Sequence, residues 1–424
     1  EIGVNNRTRI DITMVEDSKA LEEVVVVGYN VQKKETITGS ISTITTKDLK
    51  QSPTANINNA LAGRMPGLLV NQFNGGEPGN DAAQLNIRGK STYGKSGVIM
   101  IVDGIERDMD FVDADDIATF SILKDATATA LYGVRGANGI ILITTKRGTE
   151  MTAPQIRVKA EFGITQPVQL PELANASQWI DYYNELYRDS GSTEMPISDY
   201  ARQMYLSGRD PDLYPNVDWV NTIFKDLAMT GRVHASVTGG SPKIRYYVSA
   251  SYYTEGGMFN VADNDRYNAQ MNFNKYSFRS NIDIDITKST QLGLSLSTQY
   301  TTKNAPCTTT NDLYAYTMYV TPVATPTVFS NGMLAIPQES GSVNPYNMVA
   351  QSLLSLTQDF SDIITPGLKA NVKFAWDAQN ATLLERAMSP VTYYATGRDE
   401  NGELMLTAAN PNGSNYMRLA TSDS

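Results

Sequence analysis

Residues 122–148 have the sequence ILKDATATALYGVRGANGIILITTKRG, and this stretch decides the predicted fold. Asp116–Leu131 begins as an apolar strand, and Asp125–Tyr132 predicts a short helix that follows it. Gly139–Lys146 is again rich in β-branched residues and predicts a closing strand. Between helix and strand, three-residue spacing of glycine allows a tight turn and close backbone packing, at Gly133, Gly136 and Gly139.

The same mixture of short strands and helices extends upstream to Thr36. Ile37–Ile44 alternates as a strand does, and Ile57–Leu61 predicts a short helix. Val98–Val102 is a continuous apolar run that ends at Asp103-Gly104, so it predicts a buried strand followed by a turn. Residues 36–150 are therefore predicted to form one α+β domain.

After Thr149 the pattern changes to long segments that alternate between apolar and polar residues. These segments include Ile156–Phe162, Val233–Thr238, Tyr246–Tyr252, Asn281–Ile286, Leu292–Gln299 and Leu368–Trp376. The alternation alone fits a soluble sandwich and a membrane barrel equally well. Abundant tyrosine favours the barrel, since the chain has 23 and pairs them at Tyr246-Tyr247, Tyr252-Tyr253 and Tyr393-Tyr394. Connections that alternate between short (Gly239–Lys243) and long (Gln166–Thr230, Thr302–Pro366) favour it too.

Composition excludes several classes of function. The net charge of the 424 residues is −10 and no cluster of Lys and Arg occurs, so nucleic acid is not an expected partner. Cys307 is the single cysteine and His234 the single histidine, which argues against a disulfide framework, zinc, haem or another cofactor. His234 is the one residue on which a catalytic triad could be built, and a polar-face strand residue is the favoured interpretation.

Val24–Val27 follows two glutamates and precedes Gly28 and Tyr29. Four β-branched residues in a row fit an ordinary core strand. They also fit a tether that a partner grasps by adding a strand, because strand addition gains its affinity from main-chain hydrogen bonds.

Several motifs resemble, in order and spacing, the SusC/RagA family of TonB-dependent outer-membrane transporters. They are Thr38–Ser42, Ala60–Gly67, Ile87–Gly89, Val102–Gly104, Ile122–Gly133, Arg135–Gly139 and Ile143–Gly148. Leu21–Tyr29 matches the segment around the family's TonB box, which implies that TonB binds Glu23, Val24, Val25, Val26, Val27, Gly28 and Tyr29. Asn30 replaces a usual glycine and Val134 a small polar residue.

The resemblance implies an α+β plug domain inside an antiparallel transmembrane β-barrel, 22-stranded in the family. Residues 1–20 are expected to hold the end of an immunoglobulin-like N-terminal domain and a linker, 21–35 the TonB box region, 36–150 the plug and 151–424 the first part of the barrel. At ~10 residues per strand plus loops, that part supplies about eight or nine strands. Because an unpaired strand edge is not tolerated in lipid, we expect the chain to be a piece of a longer protein.

The family motifs also supply candidate plug residues, namely Arg64, Arg88, Gly89, Asp103, Gly104, Gly133, Arg135, Gly136 and Gly139. Arg88 and Arg135 are hypothesised to lock the plug to wall glutamates beyond residue 424; pairing within the plug, with Asp103, Asp125 or Glu106, is equally open. Glycine-rich loops offer candidate substrate contacts at Phe73, Asn74, Asn80 and Tyr93, which fit ordinary solvated loop residues as well.

The implied function is TonB-dependent import of an oligosaccharide or peptide across the outer membrane of a Gram-negative cell. TonB and a SusD-like surface lipoprotein that serves as a lid are the implied protein partners, and membrane lipid surrounds the barrel. The resemblance implies no enzymatic activity, no catalytic residues and no metal. The alternatives are a soluble β-sandwich that binds glycans, a hydrolase, and a TonB-linked signalling receptor.

Overall fold

The computed structural model describes residues 54–72, 77–79, 82–87, 97–124, 129–193, 195–261, 268–335 and 341–423, together with the backbone of 24–27, 30–33 and 41–45. Two bodies of structure are present. One is a small α+β domain, called the plug below, and the other is a large antiparallel sheet, called the wall.

The plug sheet contains five strands in the order β3-β8-β9-β6-β7. The elements up to this domain's end are β1 Val24–Val27, β2 Asn30–Lys33, β3 Ile41–Thr45, α1 Ile57–Ala60, β4 Leu68–Asn71, β5 Gln84–Ile87, β6 Ile99–Val102, β7 Ile105–Glu106, β8 Ile117–Leu123 and β9 Ile140–Thr145. The pair β6 and β9 is parallel, and the other pairs are antiparallel. β9 lies between β6 and β8 and pairs with both of them. Its apolar sequence, Ile140–Leu142, suits this buried, central position in the sheet.

The core of the plug forms where α1 and the β4–β5 hairpin pack on this sheet. It includes Ile57, Leu61, Met65, Leu68, Leu85, Ile87, Val102, Met109, Val112, Ile117, Phe120, Ile122, Ile141 and Ile143, all at most 8% exposed. The predicted helix at Asp125–Tyr132 is only partly described: Thr129 is helical, and a 3₁₀ helix follows it. A 3₁₀ helix occupies Ala130–Asn138 and is kinked at Gly133, whose backbone (φ 60°, ψ −149°) is open only to glycine. Residues 125–128 lie outside the described part.

The wall is an eight-stranded antiparallel sheet in the order β10-β11-β12-β13-β14-β15-β16-β19. Its strands are β10 Gln155–Thr165, β11 Ala228–Gly240, β12 Ile244–Gly256, β13 Asn272–Asp285, β14 Thr290–Pro306, β15 Gly341–Asp359, β16 Lys369–Ser389 and, after the β17–β18 hairpin of Tyr393–Arg398 and Leu404–Ala408, β19 Ser414–Asp423. Strands of 10 to 21 residues exceed those of an ordinary sandwich. They suit an outer-membrane barrel, and the predicted fold class, a plug within a partial barrel of about eight strands, is confirmed.

One face of the wall is apolar and carries an aromatic row. Tyr252, Tyr276 and Tyr300 lie directly across from each other on β12, β13 and β14, with ring centroids 5.0 and 6.1 Å apart. On β12, Ile244 lies eight residues from Tyr252 of this row. At ~3.4 Å per residue, this is about 27 Å along the strand. With the usual tilt this is about 20 Å of membrane thickness, close to the height of a lipid-facing band.

The tyrosine pairs of the sequence are split between the two faces. Tyr247 and Tyr253 are only 1% and 6% exposed and face the plug, whereas Tyr252 is 36% exposed on the outer face. Tyr393 and Tyr394 lie on the β17–β18 hairpin, outside the wall. The girdle is therefore built from single tyrosines of neighbouring strands, since side chains alternate along each strand.

Short turns connect wall strands at one end, after β11, β13 and β15, and long connections lie at the other. The predicted long connection Thr302–Pro366 is wrong in extent, because it contains the end of β14 and the whole of β15, Gly341–Asp359. The long connections carry α2 Ala176–Asp189, α3 Asp199–Ser207, α4 Trp219–Ile223 and α5 Thr310–Tyr319. Trp219 fills a small core between α4 and α5, and its indole donates to the carbonyl of Thr321 at 3.0 Å. None of the helices within the described ranges is long and apolar enough to cross a membrane.

Candidate functional site

The plug meets the wall through a strongly acidic segment, Arg107–Asp116, which contains five aspartates. Two short 3₁₀ turns, Met109–Phe111 and Ala114–Asp116, shape it. Asp108 and Asp113 cap these turns, each accepting a hydrogen bond from the backbone N–H two residues on, at 3.0 and 2.8 Å. Met109 and Val112 lie in the plug core, and the carboxylates of Asp113, Asp115 and Asp116 contact the wall. We call this segment the acidic clasp.

Arg232 of β11 is the central partner of the acidic clasp. Its guanidinium forms ion pairs with Asp113 and Asp115, and the Asp115 contact is 2.8 Å. The side chains of Arg232, Asp113 and Asp115 are only 10%, 9% and 4% exposed. The hydroxyl of Ser251 donates to Asp113 at 2.6 Å. The pair is therefore enclosed, where an unpaired charge would be costly.

These contacts determine the charge state of Asp113. Burial alone would raise the pKa of its carboxyl, but the positive charge of Arg232 and the hydrogen bonds from Ser251 and the backbone of Asp115 outweigh burial. The pKa of Asp113 falls from the usual 3.8 to about 2. The lowered pKa favours the ionised carboxylate at neutral pH.

Asp116 makes a second set of contacts a few residues along. The hydroxyl of Tyr247 donates to its Oδ1 at 2.9 Å, and Nε2 of His234 lies 3.2 Å from the same oxygen. The guanidinium of Arg279 lies 3.5 Å from Oδ2. Asp116, His234 and Arg279 are all at most 6% exposed. His234, expected on a polar strand face, lies on the face of β11 that meets the plug.

Lys275 of β13 binds the backbone of the plug rather than a carboxylate. Its ammonium donates to the carbonyl of Asp110 at 2.9 Å and to that of Ala55 at 3.4 Å. Beside it lies a cavity of about 30 Å³, which Asp113, Arg232 and Lys275 help to line. The cavity has room for a water molecule, and its lining includes polar groups of both the plug and the wall. The contact is polar on both sides, unlike the apolar core of the plug.

A further contact lies at the end of the wall with the short turns. Arg147 donates to Asp283 at 2.7 Å, and the amide of Asn281 donates to the carbonyl of Lys146 at 2.6 Å. Gly148 has no room for a side chain, because an added Cβ would lie 2.1 Å from the backbone nitrogen of Tyr246. The chain leaves the plug here in backbone contact with β12, and then enters β10.

Two contacts connect the plug to β16. Arg107 forms a bidentate pair with Asp377 and donates to the carbonyl of Ser352 at 2.7 Å. Lys373 donates to the carbonyl of Asp103 at 2.9 Å. Both wall residues occupy the plug-facing positions of the strand alternation, so they add to the polar interface.

The opposite end of the plug contacts the wall near the long connections. Glu77 forms an ion pair with Lys303 of β14 and accepts a hydrogen bond from the hydroxyl of Thr310, the first residue of α5, at 3.3 Å. Gly79 (φ 71°) packs under the ring of Phe273, which would lie 2.2 Å from a Cβ at this position. The plug is thus held at both ends as well as along the acidic clasp.

Comparison with known proteins agrees with this arrangement of a plug inside a wall. Residues 33–140 match the family model of the TonB-dependent receptor plug domain. TonB-dependent receptors P26 and P3 of Formosa agariphila are 30% and 31% identical to this chain over 83% and 73% of it. SusC of Bacteroides thetaiotaomicron, another TonB-dependent receptor, is 29% identical over 66%. This chain belongs to the TonB-dependent receptors of the SusC/RagA family. It spans 32%, 28% and 27% of the length of these three relatives.

Solved structures show the same fold. The RagAB peptide importer in its open-open state matches with a TM-score of 0.69 at 23% identity, over 88% of this chain and 44% of the importer chain. Its closed-closed state matches with a TM-score of 0.58 at 19% identity, over 92% of this chain and 52% of that one.

In this TonB-dependent receptor, Arg135, one of the two arginines predicted to lock the plug to the wall, has a partner inside the plug. Arg135 pairs with Glu106 at 2.5 Å, and both side chains are more than half exposed. Arg88 and Gly89 lie outside the described residues, and Arg64 lies in the plug, just after α1. The ion pairs between plug and wall have both polarities. Carboxylates of the acidic clasp meet Arg232 and Arg279 of the wall, whereas Arg107 and Arg147 of the plug meet Asp377 and Asp283 of the wall.

The plug glycines and the Asp103-Gly104 motif of the receptor allow a tight turn and close packing of the backbone in the plug. Asp103 (φ 52°) and Gly104 (φ 87°) form the turn between β6 and β7, and the Asp103 carboxylate accepts from the N–H and hydroxyl of Thr145 at 2.9 and 2.7 Å. An added Cβ would meet Ile87 at Gly139 and Thr129 at Gly136. Both glycines therefore permit close packing around β9.

The TonB box and substrate candidates are only partly within the described structure. The backbone of Val24–Val27 forms β1, whereas Glu23, Gly28 and Tyr29 lie outside the described residues. Phe73, Asn74, Asn80 and Tyr93 lie outside as well. The acidic clasp was not foreseen, although its run of aspartates and the inward-facing cations of β11 and β13 were visible in the sequence.

Proposed function

We propose that this chain forms the plug and part of the barrel of an active importer in the outer membrane of a Gram-negative cell. The observation that supports this proposal is a folded plug, which polar side chains hold against the inner face of the wall. The outer face of the wall is apolar. In the proposed importer the plug occupies the space beside the inner face of β11–β16, and the cargo passes when the plug changes its position or fold.

The chemistry of the interface suits such a change. Ion pairs and hydrogen bonds between the acidic clasp and the wall exchange with water when they break, whereas an apolar interface of equal size would resist parting. The energy for parting them is proposed to come from TonB, which binds Glu23–Tyr29 on the periplasmic side and pulls. Because this segment precedes β3, the pull acts on the edge strand of the plug sheet.

The cargo is proposed to be a nutrient oligomer, either an oligosaccharide or a peptide, captured with a SusD-like lipoprotein as lid. Family membership supports both proposals. Phe73, Asn74, Asn80 and Tyr93 remain predicted substrate contacts in plug loops.

The test is uptake of labelled oligosaccharide and peptide pools by cells that carry the full-length receptor. A variant without Glu23–Gly28 is compared with a control that lacks six residues of the preceding linker, Val15–Ala20. We expect the first deletion to abolish uptake of one pool while surface binding persists, and the second to leave uptake intact. Equal uptake by all three receptors would refute energy coupling through this segment.

A further inference from the structure

The outer face of the wall changes from apolar to amide-rich beyond the tyrosine row, at the end that carries the long connections. Side chains alternate along each strand, so every second residue beyond the tyrosines also points outward. These outward positions include Asn272 and Asn274 on β13, Thr302 and Asn304 on β14, Asn344 on β15 and Arg386 on β16. We call these six residues the outer amide band.

The height of the band follows from the strand register. Asn274 and Thr302 lie directly opposite each other, two residues beyond the tyrosines, and Asn272 and Asn304 form the next pair. At ~3.4 Å per residue and with the usual tilt, these two rows lie about 5 and 10 Å above the tyrosine rings. The headgroup layer of one leaflet is about 5–8 Å thick. The band therefore lies at the level of the lipid headgroups.

Hydrogen bonds connect the band to the tyrosine row and across the strands. The hydroxyl of Tyr252 donates to Asn274 at 2.9 Å, and the amide of Asn274 donates to Asn272 at 2.7 Å. On the next strands, Arg386 donates to Asn344 at 3.1 Å, and the amide of Asn344 donates to Asn304. All four asparagines are half-buried. An amide has two donors and two acceptor positions, so these bonds hold the side chains in place and leave capacity for a ligand.

The charge of the band is a single cation. At the same height on β12, β14 and β16, Glu255, Lys303 and Glu385 alternate with the outward residues and so point inward. Lys303, for example, pairs with Glu77 of the plug. On β12–β16, the outward positions from the tyrosine row to Arg386 hold no carboxylate.

We propose that the outer amide band binds the headgroup of a phosphorylated glycolipid in the outer leaflet of the membrane. The inference rests on the proposed function, which puts the wall in the outer membrane. Sugar hydroxyls both donate and accept hydrogen bonds, as the amides do, and the guanidinium of Arg386 suits a phosphate on the sugar. The acyl chains of the same molecule lie on the apolar face below the tyrosines, so the lipid contacts two surfaces that adjoin each other.

The composition of the two ends of the wall favours a glycolipid over a zwitterionic phospholipid. A phospholipid headgroup with an ammonium group needs a carboxylate partner, which the outward positions of the band lack. The opposite end of the wall has groups of both signs, such as Lys369 and Asp359, which pair at 3.0 Å. The two ends of the wall therefore suit leaflets of different headgroup chemistry.

The test is lipid binding to the purified full-length receptor in detergent, measured by native mass spectrometry. The probes are lipid A, which is an acylated and phosphorylated disaccharide, dephosphorylated lipid A, and phosphatidylethanolamine. Asn304→Leu combined with Asn344→Leu removes two amides at nearly constant size, and Arg386→Gln removes the cation. Asn371→Leu is the matched control, because Asn371 also donates across strands, to Thr357 at 2.6 Å, but at the opposite end of the wall. The melting temperature without lipid shows that each variant is folded.

We expect the unmodified receptor to bind lipid A at least about tenfold more tightly than phosphatidylethanolamine. The double variant should lose roughly tenfold in affinity for lipid A, since two hydrogen-bonding side chains are removed, and the control should stay within about threefold. Arg386→Gln should abolish the preference for lipid A over its dephosphorylated form.

Unchanged affinity in the double variant, or equal binding of lipid A and phosphatidylethanolamine to the unmodified receptor, would overturn the inference. An Arg386→Gln receptor that still prefers phosphorylated lipid A would show that the guanidinium does not bind the phosphate. A full-length receptor that is absent from the outer-membrane fraction of cells would instead contradict the proposed function.

Discussion

Replacing Arg232 tests whether buried charges hold the plug against the wall. Arg232 pairs with both Asp113 and Asp115, so Arg232→Gln removes the ion-pair partner of the enclosed Asp113 and leaves Asp115 with the longer, 4.0 Å contact to Lys159. Removal of one partner from a buried pair costs about 3–5 kcal/mol. We take ~3 kcal/mol here, because the neighbouring water-sized cavity eases hydration, and this corresponds to roughly 150-fold in the local opening equilibrium.

Amide hydrogen exchange of the full-length receptor in detergent measures that equilibrium directly. The reporters are the N–H groups of Val112 and Asp116, which donate to the carbonyls of Met109 and Asp113 at 2.9 Å each. Their protection should fall by about two orders of magnitude in Arg232→Gln. Protection in β14, which lies away from Arg232 in the wall, should not change.

Arg202→Gln is the matched control, because Arg202 pairs with Asp181 on the surface, where the two side chains are 34% and 59% exposed. An exposed pair contributes about 0–1 kcal/mol, so protection of the acidic clasp should not change. A triple variant, Arg232→Met with Asp113→Asn and Asp115→Asn, should lose less protection than Arg232→Gln alone, since no charge is stranded. If Arg232→Gln keeps its protection within about threefold, the buried-charge argument is wrong.

Two further predictions concern pH and packing. Because the pKa of Asp113 is lowered from 3.8 to about 2 in the folded protein, its stabilising contribution is complete above pH 4 and is lost as the pH falls towards 2. Exchange measured across this range should show the loss, and Asp113→Asn should flatten this dependence; an equally steep dependence in the variant would exclude Asp113 as the cause. Gly148→Ala places a Cβ 2.1 Å from the backbone of Tyr246, so it should lower the melting temperature by several degrees, whereas Gly97→Ala, with no atom within 4 Å, should not. Equal melting temperatures would show that the chain can shift at Gly148 at no cost.

The strands of this receptor were predictable because their signals are local. Val98–Val102 and Gly139–Lys146 gave β6 and β9 to within a residue or two, and alternation gave segments of every wall strand except β15 and β19. The 3₁₀ helix at Ala130–Asn138 overlaps the end of the predicted helix Asp125–Tyr132 and extends beyond it to Asn138. Periodicity does not reveal that Gly133 interrupts the helix with a backbone that other residues avoid.

The candidate site was predictable only in part, because its contacts join residues far apart in the sequence. His234 and Asp116 are 118 positions apart, and Tyr247 and Asp116 are 131 apart. Motif resemblance pointed to arginines of the plug, since these lie in recognisable patterns. The aspartates of the acidic clasp belong to no such pattern, and nothing in their neighbourhood shows that they are buried.

Strand alternation nevertheless predicts the wall side of this interface. Once the wall is known to be a barrel sheet, Arg232 and His234 on β11 and Lys275 and Arg279 on β13 all fall at plug-facing positions. Four basic side chains on one inward surface cannot remain unpaired, so the plug must present carboxylates or carbonyls to them. Arg107–Asp116 is the most acidic stretch of the plug and meets that demand. The exact pairing depends on how the folded plug sits in the wall, which is fixed by packing across the whole interface and is not encoded in either strand alone.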